Sequence, residues 1–220
     1  VEEPSCLTFD CYGTLIDWDA GVQAAVEGTA SLAGCDVGRL LEDREAADRA
    51  LTAEGYQPYD EVLRTSLASA AALQGRTVSG AEAESFGAGM GAWPPFPDST
   101  AALARLAGRF RLCILSNVGR ETLLASVALL GVGFEVLVTA DDLRSYKPRR
   151  AHFDEGLRRL GVAREAVLHV AASPYHDLAP AELLGWRTAW IDRRGEGEPA
   201  GCEPALRAAS LSELADRFDA

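Results

Sequence analysis

Apolar residues fall in short runs along this chain, and the spacing of the runs lays out an order of elements. SCLTFD (5–10), RLCILSN (111–117), FEVLVTA (134–140), AVLHVAA (166–172) and RTAWID (187–192) are apolar nearly throughout, the pattern of strands covered on both faces. Helical patterns occupy 99–109, 120–131, 150–161 and 178–185. Two of them stop at Gly131 and Gly161, residues suited to a helix C-cap. Strands alternating with helices predict an α/β fold built on a doubly wound parallel sheet.

The stretch between the first run and the second breaks this rhythm. Residues 16–95 read as mostly helix and include an amphipathic segment from Tyr59 to Leu73, after which WPPFPD (93–98) reads as a linker. An insertion of that length is no simple βα loop. The pattern therefore predicts a Rossmann-like core from residues 1–15 and 96–220, with 16–95 as a helical cap domain. The cap is expected over the C-terminal edge of the sheet, where open α/β sheets bind ligands. Near the end, GEGEPAG (195–201) reads as a polar loop before a last short helix, LSELADRF.

Composition narrows the partners. Hydrophobic residues make up 48% and charged residues 25%, as in an ordinary globular domain, and no apolar run is long enough to cross a bilayer. A formal charge of −12 repels phosphate backbones and anionic lipid, which argues against nucleic-acid and membrane roles. A small anionic substrate would need a locally positive pocket. The cysteines (Cys6, Cys11, Cys35, Cys113 and Cys202) are scattered, without the CxxC or Cys/His spacing of a zinc site. Cys6 and Cys113 lie in apolar runs and are expected as buried thiols. The acidic start VEEPSCLTFD lacks the basic region of a signal peptide, so the expected location is cytoplasmic. Nothing in the sequence sets the oligomeric state, and a homodimer is compatible with it.

Four segments carry candidate chemistry. In TFDCYGTLID (8–17) an apolar strand ends at Asp10, and Gly13-Thr14 follow at once, placing a carboxylate at the active-site edge among free backbone N–H groups. Ser116-Asn117 close a second strand just before a helix N-terminus, a setting for an anion. Lys147 is the single lysine among 21 basic residues and lies in SYKPRR, where Pro148 favours an extended backbone. Asp177 follows the run VLHVAA. Each has a plainer reading: a strand-ending turn cap for Asp10, a helix cap for Ser116-Asn117, a solvated surface charge for Lys147, an N-cap for Asp177.

Taken in order on successive strands, the four segments resemble the haloacid dehalogenase superfamily, over nearly the whole chain. FDxYGTL, with Tyr12 two residues after Asp10, looks like the L-2-haloacid dehalogenase branch. Phosphatases of the superfamily usually carry a second Asp there as a proton donor, and a phenol with an ordinary pKa near ~10 is a poor substitute. The resemblance implies that Asp10 attacks carbon to form an aspartyl ester and that water then hydrolyses it. It implies that Lys147 keeps Asp10 ionised, Asp177 holds Lys147 and orients water, and Thr14 bonds Asp10. Ser116 and the backbone N–H groups of Cys11 and Tyr12 would bind a substrate carboxylate, with Asn117 and Tyr12 facing the leaving group. Arg44 is the candidate cap arginine for a departing halide, and Arg39 a weaker one. No metal or other cofactor is implied. The chain departs from the branch near its last Asp, where Ala172 and Pro174 replace a Ser and an Asn that help to position water; Ser173 and His176 are nearby. His152 and His169 read as structural. Two alternatives remain: a Mg²⁺-dependent phosphatase of a small monoester, and a hydrolase opening a ring such as that of azetidine-2-carboxylate.

Overall fold

The computed structural model describes residues 3–199 and 201–219. Strand β1 (Cys6–Phe9) precedes helices α1 (Trp18–Glu27), α2 (Val37–Glu54), α3 (Tyr59–Leu73), α4 (Gly80–Gly89) and α5 (Ser99–Ala107). Then come β2 (Arg111–Ser116), α6 (Arg120–Leu130), β3 (Val136–Thr139), α7 (Ala140–Leu143) and α8 (Ala151–Leu160). The chain ends with β4 (Val167–Ala171), α9 (Ala179–Leu183), β5 (Arg187–Ile191), β6 (Leu206–Ala208) and α10 (Leu211–Arg217). The six strands form one parallel sheet in the order β3-β2-β1-β4-β5-β6. The doubly wound α/β sheet expected from the sequence is therefore present. Its strand order reverses between β1 and β4, and a crevice opens beyond the strand ends at that point.

The central strands have the burial that their sequences imply. Every residue of β1 and β4 is buried. Cys6 and Cys113 are buried free thiols, packed with Phe153 and Trp186 on one face of the sheet. Gly131 and Gly161 take left-handed C-cap conformations, φ 71° and 65°. A Cβ would resist that geometry.

Between β1 and β2, helices α1–α4 contribute no strand to the sheet. The chain enters and leaves this helical stretch side by side. Asp17 N donates to Pro94 O at 2.8 Å and Phe96 N to Leu15 O at 3.0 Å, around an antiparallel bridge of Ile16 with Pro95. Beside this crossing an aromatic cluster forms: Trp18 and Trp93 meet edge to face at 5.0 Å, and Tyr12 lies 6.2 Å from each.

Three elements differ from the sequence reading, the first being the four-residue helix α7, which opens at Ala140 where the strand run 134–140 was expected to end. β6 was not expected; it is an edge strand of three residues, only partly buried, with too little apolar signal to stand out. The helix expected from residue 178 begins earlier, with a π-helical turn at Pro174–Leu178 capped by Ser173, whose side chain accepts from His176 N. Asp177 is thus inside the turn rather than its N-cap.

Candidate active site

Asp10 follows β1 directly, and the next residues turn back on themselves. Leu15 N and Ile16 N both donate to Cys11 O, at 2.7 and 3.0 Å, and Gly13 takes φ +86°. A positive φ at that position is what a glycine permits without strain. The turn brings Thr14 Oγ1 back to Asp10, donating to Oδ2 at 2.8 Å, while the same hydroxyl accepts from Ala172 N at 3.0 Å at the end of β4. One threonine therefore ties together the tips of the two central strands.

Lys147 reaches this point from the segment after α7. Its ammonium is fully buried and satisfied by three acceptors: Asp10 Oδ1 at 2.8 Å, Asp177 Oδ1 at 2.6 Å and Leu115 O at 2.7 Å. Asn117 holds the Lys147 backbone from both sides, with Nδ2 donating to Lys147 O at 3.1 Å and Oδ1 accepting from Lys147 N at 2.7 Å. Both ends of the Asn117 amide thereby hold the Lys147 segment, and Nδ2 keeps a second N–H. Tyr12 shares a hydrogen bond of 2.6 Å with Ser126 Oγ on α6, and burial raises its phenol above the ordinary range.

The electrostatics follow from two carboxylates sharing one ammonium. Burial pushes the Asp177 carboxyl up, but Lys147 and His169 more than reverse this and hold it well below the usual carboxylate range. Burial lowers the Lys147 ammonium, and its two carboxylate partners outweigh that and raise it. Asp10 moves the other way: burial raises it, Lys147 lowers it, the charge of Asp177 raises it again, and the net direction is up. A lone cation beside Asp10 would have lowered it. The difference arises first from the burial of Asp10 and then from the like charge of Asp177 beside it.

Asp10, Lys147 and Asp177 border a cavity of about 700 Å³ whose wall also includes Ser116, Arg44 and His176. Arg44 is buried on α2, bonded through Nη1 to Asp48 Oδ2 at 3.2 Å and Ser66 Oγ at 3.5 Å, and its guanidinium lies 4.9 Å from the Trp18 ring centre. Its Nε is buried and has no hydrogen-bond partner among the described residues. Arg39, the weaker candidate, is instead a solvent-facing residue paired with Asp43. His176 Nδ1 lies 3.2 Å from Lys147 O, and Ser173 caps the turn that carries it.

Three features escaped the sequence reading. His169 is buried in β4 as expected of a structural histidine, yet its Nε2 lies 3.0 Å from Asp177 Oδ1 and its Nδ1 2.9 Å from Thr8 Oγ1. Two polar residues inside otherwise apolar strands were the available signal. Asp48 and Tyr59 form the second: the Tyr59 hydroxyl donates to Asp48 Oδ2 at 3.0 Å, beside Arg44. Third, Arg193 donates to Thr14 O at 2.9 Å while bonded to Asp98 at 2.7 Å, bracing the turn that carries Thr14. His152 is buried against Ser116 O, and burial depresses its imidazole to about 3, so it stays neutral.

The donor set does not suit a divalent ion. Asp10 and Asp177 are both bonded to the Lys147 ammonium, and among the described residues no three His, Cys, Asp or Glu side chains are grouped to hold a metal.

A parallel sheet with buried carboxylates and a lysine converging at its switch point defines an α/β enzyme. Residues 4–185 match the family model for haloacid dehalogenase-like hydrolases, and the chain belongs to that family. It is 38% identical over 104 residues to haloacetate dehalogenase H-2 of Moraxella sp., covering 46% of each chain. It is 31% identical over 127 residues to phosphoserine phosphatase of Thermus thermophilus, covering 56% of this chain and 50% of the relative. The matched region thus spans about half the length of these curated relatives. The structure of L-2-haloacid dehalogenase from Xanthobacter autotrophicus superimposes with a TM-score of 0.83 at 21% identity, covering 98% of both chains. At that identity the likeness concerns the fold.

Proposed function

We propose that this hydrolase displaces a leaving group from carbon in a small carboxylate, as a 2-haloacid dehalogenase does, through an ester on Asp10. The observation that carries this reading is the shared ammonium of Lys147 between Asp10 and Asp177, with Tyr12 where a phosphatase would keep its second acid. Thr14 and Lys147 fix the two oxygens of Asp10 for attack along one direction. An Asp10 oxygen forms a bond to the substrate carbon as the carbon–halogen bond breaks and its electron pair leaves with the halide. Ser116 and the backbone N–H groups of Cys11 and Tyr12 hold the substrate carboxylate to one side. Arg44, with its unpartnered Nε, receives the departing halide. Water then attacks the Asp10 carbonyl carbon and releases a 2-hydroxy acid. Residues 16–95 act as a cap that walls the cavity and supplies Arg44.

Chloroacetate, 2-chloropropionate and p-nitrophenyl phosphate, each with and without Mg²⁺, separate this reading from its alternative. Halide release from the chloroacids without metal is the expected result. In single turnover in ¹⁸O water the label enters the Asp10 side chain first. Phosphate release that requires Mg²⁺, with no halide released, would overturn the reading.

A further inference from the structure

The two oxygens of Asp177 stand in different circumstances. Oδ1 accepts from Lys147 at 2.6 Å and faces His169 Nε2 at 3.0 Å. Oδ2 is buried and has no hydrogen-bond partner among the described residues. Leaving a buried acceptor unmet costs ~1–3 kcal/mol, which a water or ligand relieves. Asp177 is among the residues lining the cavity that Asp10 borders, so the unmet acceptor belongs to a residue of the site.

His169 accounts for this asymmetry. It is fully buried in β4, between β1 and β5. An ionised carboxylate can only accept, so Nε2 carries a proton and donates it. Its Nδ1 lies 2.9 Å from the Thr8 hydroxyl, and Thr8 is its register partner across the sheet. Phe153 and Trp186 pack edge-on against the ring at 5.5 and 6.1 Å and restrict other orientations. With Lys147 alone, the carboxylate could rotate and offer both oxygens to the ammonium. A second donor of fixed direction on Oδ1 removes that freedom.

We propose that His169 is a positioning residue for the second half of the reaction, pinning Asp177 so that Oδ2 stays open to the hydrolytic water. The inference rests on the aspartyl-ester route above. In that step the water oxygen bonds to the Asp10 carbonyl carbon and gives one proton to Asp177 Oδ2. The bond from that carbon to the substrate oxygen breaks, and the leaving alkoxide takes the proton from Asp177 to become the hydroxy acid. The second water proton goes to solvent as Asp10 returns to a carboxylate. His169 takes no part in the first step, where Asp10 attacks carbon.

The test follows both half-reactions in the whole protein with 2-chloropropionate as probe, by rapid-quench halide release and intact-protein mass. In His169→Leu the halide burst persists at close to the wild-type rate, an adduct accumulates on Asp10, and kcat falls about tenfold or more. His169→Gln, whose amide nitrogen can stand near the place of Nε2, restores hydrolysis. Thr8→Val keeps the shape of the strand and shows the same imbalance more weakly. His169→Asn keeps an amide beside Thr8 but falls short of Asp177, so it should accumulate adduct as well and decides the matter if the Leu variant does not fold. Halide release and hydrolysis falling together, with no adduct in the Leu, Asn or Val variants, would reduce His169 to a packing residue. Wild-type protein that yields neither halide nor adduct overturns the reaction itself, and this role with it.

Discussion

Asp10, Lys147 and Asp177 place two negative charges and one positive in a single buried volume. One carboxylate is well served and the other is not, and the underserved one is the proposed nucleophile. A carboxyl raised in the folded state favours folding while protonated, and that advantage is lost as pH climbs through its folded pKa; at pH 7 its charge is a net cost. Asp10→Asn should therefore abolish turnover yet raise the melting temperature at pH 7 by a few degrees, about 2–4 °C for each ~1 kcal/mol. The gain should shrink as pH falls through the raised folded pKa and the wild-type carboxyl becomes neutral as well; calorimetry across the acid range reads it directly. The same direction predicts that kcat/KM falls on the acid side above the ordinary aspartate range near ~3.9, because attack needs the ionised form. Lys147 has no slack, with three acceptors at 2.6–2.8 Å. Lys147→Arg keeps the charge but puts a planar fork where a compact ammonium sits, and should lower kcat by about 10²-fold or more. Near-native rates in that variant would show that the charge alone suffices.

Elements set these side chains through short connections at the ends of β1, β2 and β4. The main strands were legible because burial on both faces leaves unbroken apolar runs, and the strand-end positions of Asp10 and Ser116 were legible for the same reason, whereas Asp177 lies in the turn beyond β4. β6 was not, since an edge strand of mixed exposure has no such run. Nor was the contact of His169 with Thr8 and Asp177. Its partner Thr8 lies 161 residues away, and only strand register brings the two together. Arg44 was legible only as a candidate, because its neighbours Asp48, Ser66 and Trp18 are assembled by the packing of α1, α2 and α3. That packing depends on a close approach at Gly21 of α1, where an added Cβ would overlap the Trp93 ring. Trp93 is itself buried beside Tyr12 and Trp18. Gly21→Ala should therefore lower stability by about 1–3 kcal/mol, despite alanine's better helix propensity. Equilibrium urea unfolding measures this, and a neutral or stabilising result would mean that Trp93 shifts aside without strain.

At the scale of the whole molecule, the helical stretch and the sheet together wall one cavity, and the charges inside it differ from the surface average. The chain carries −12 overall, yet a buried ammonium, that of Lys147, lines the cavity. This arrangement bears on whether a metal is needed. Attack on a phosphate monoester brings an anionic nucleophile to an anionic centre, and a divalent ion screens the repulsion there. Attack on carbon, with the substrate carboxylate held to one side, presents no such charge to Asp10. A cation at contact distance is already present: two unit charges ~4 Å apart attract by roughly 4 kcal/mol at an effective dielectric of about 20, before desolvation is subtracted. That ammonium is bonded to Asp10 and Asp177 at once, so a divalent ion on the same oxygens would have to displace a lysine that also bonds Leu115 O. Among the described residues no group of three His, Cys, Asp or Glu side chains is arranged to hold a metal ion. Turnover of the best chloroacid should therefore survive exhaustive EDTA treatment and be unchanged when Mg²⁺ is restored. Activity that disappears on chelation and returns with Mg²⁺ would mean that Lys147 gives way to the metal, and displacement at carbon without a metal would be overturned.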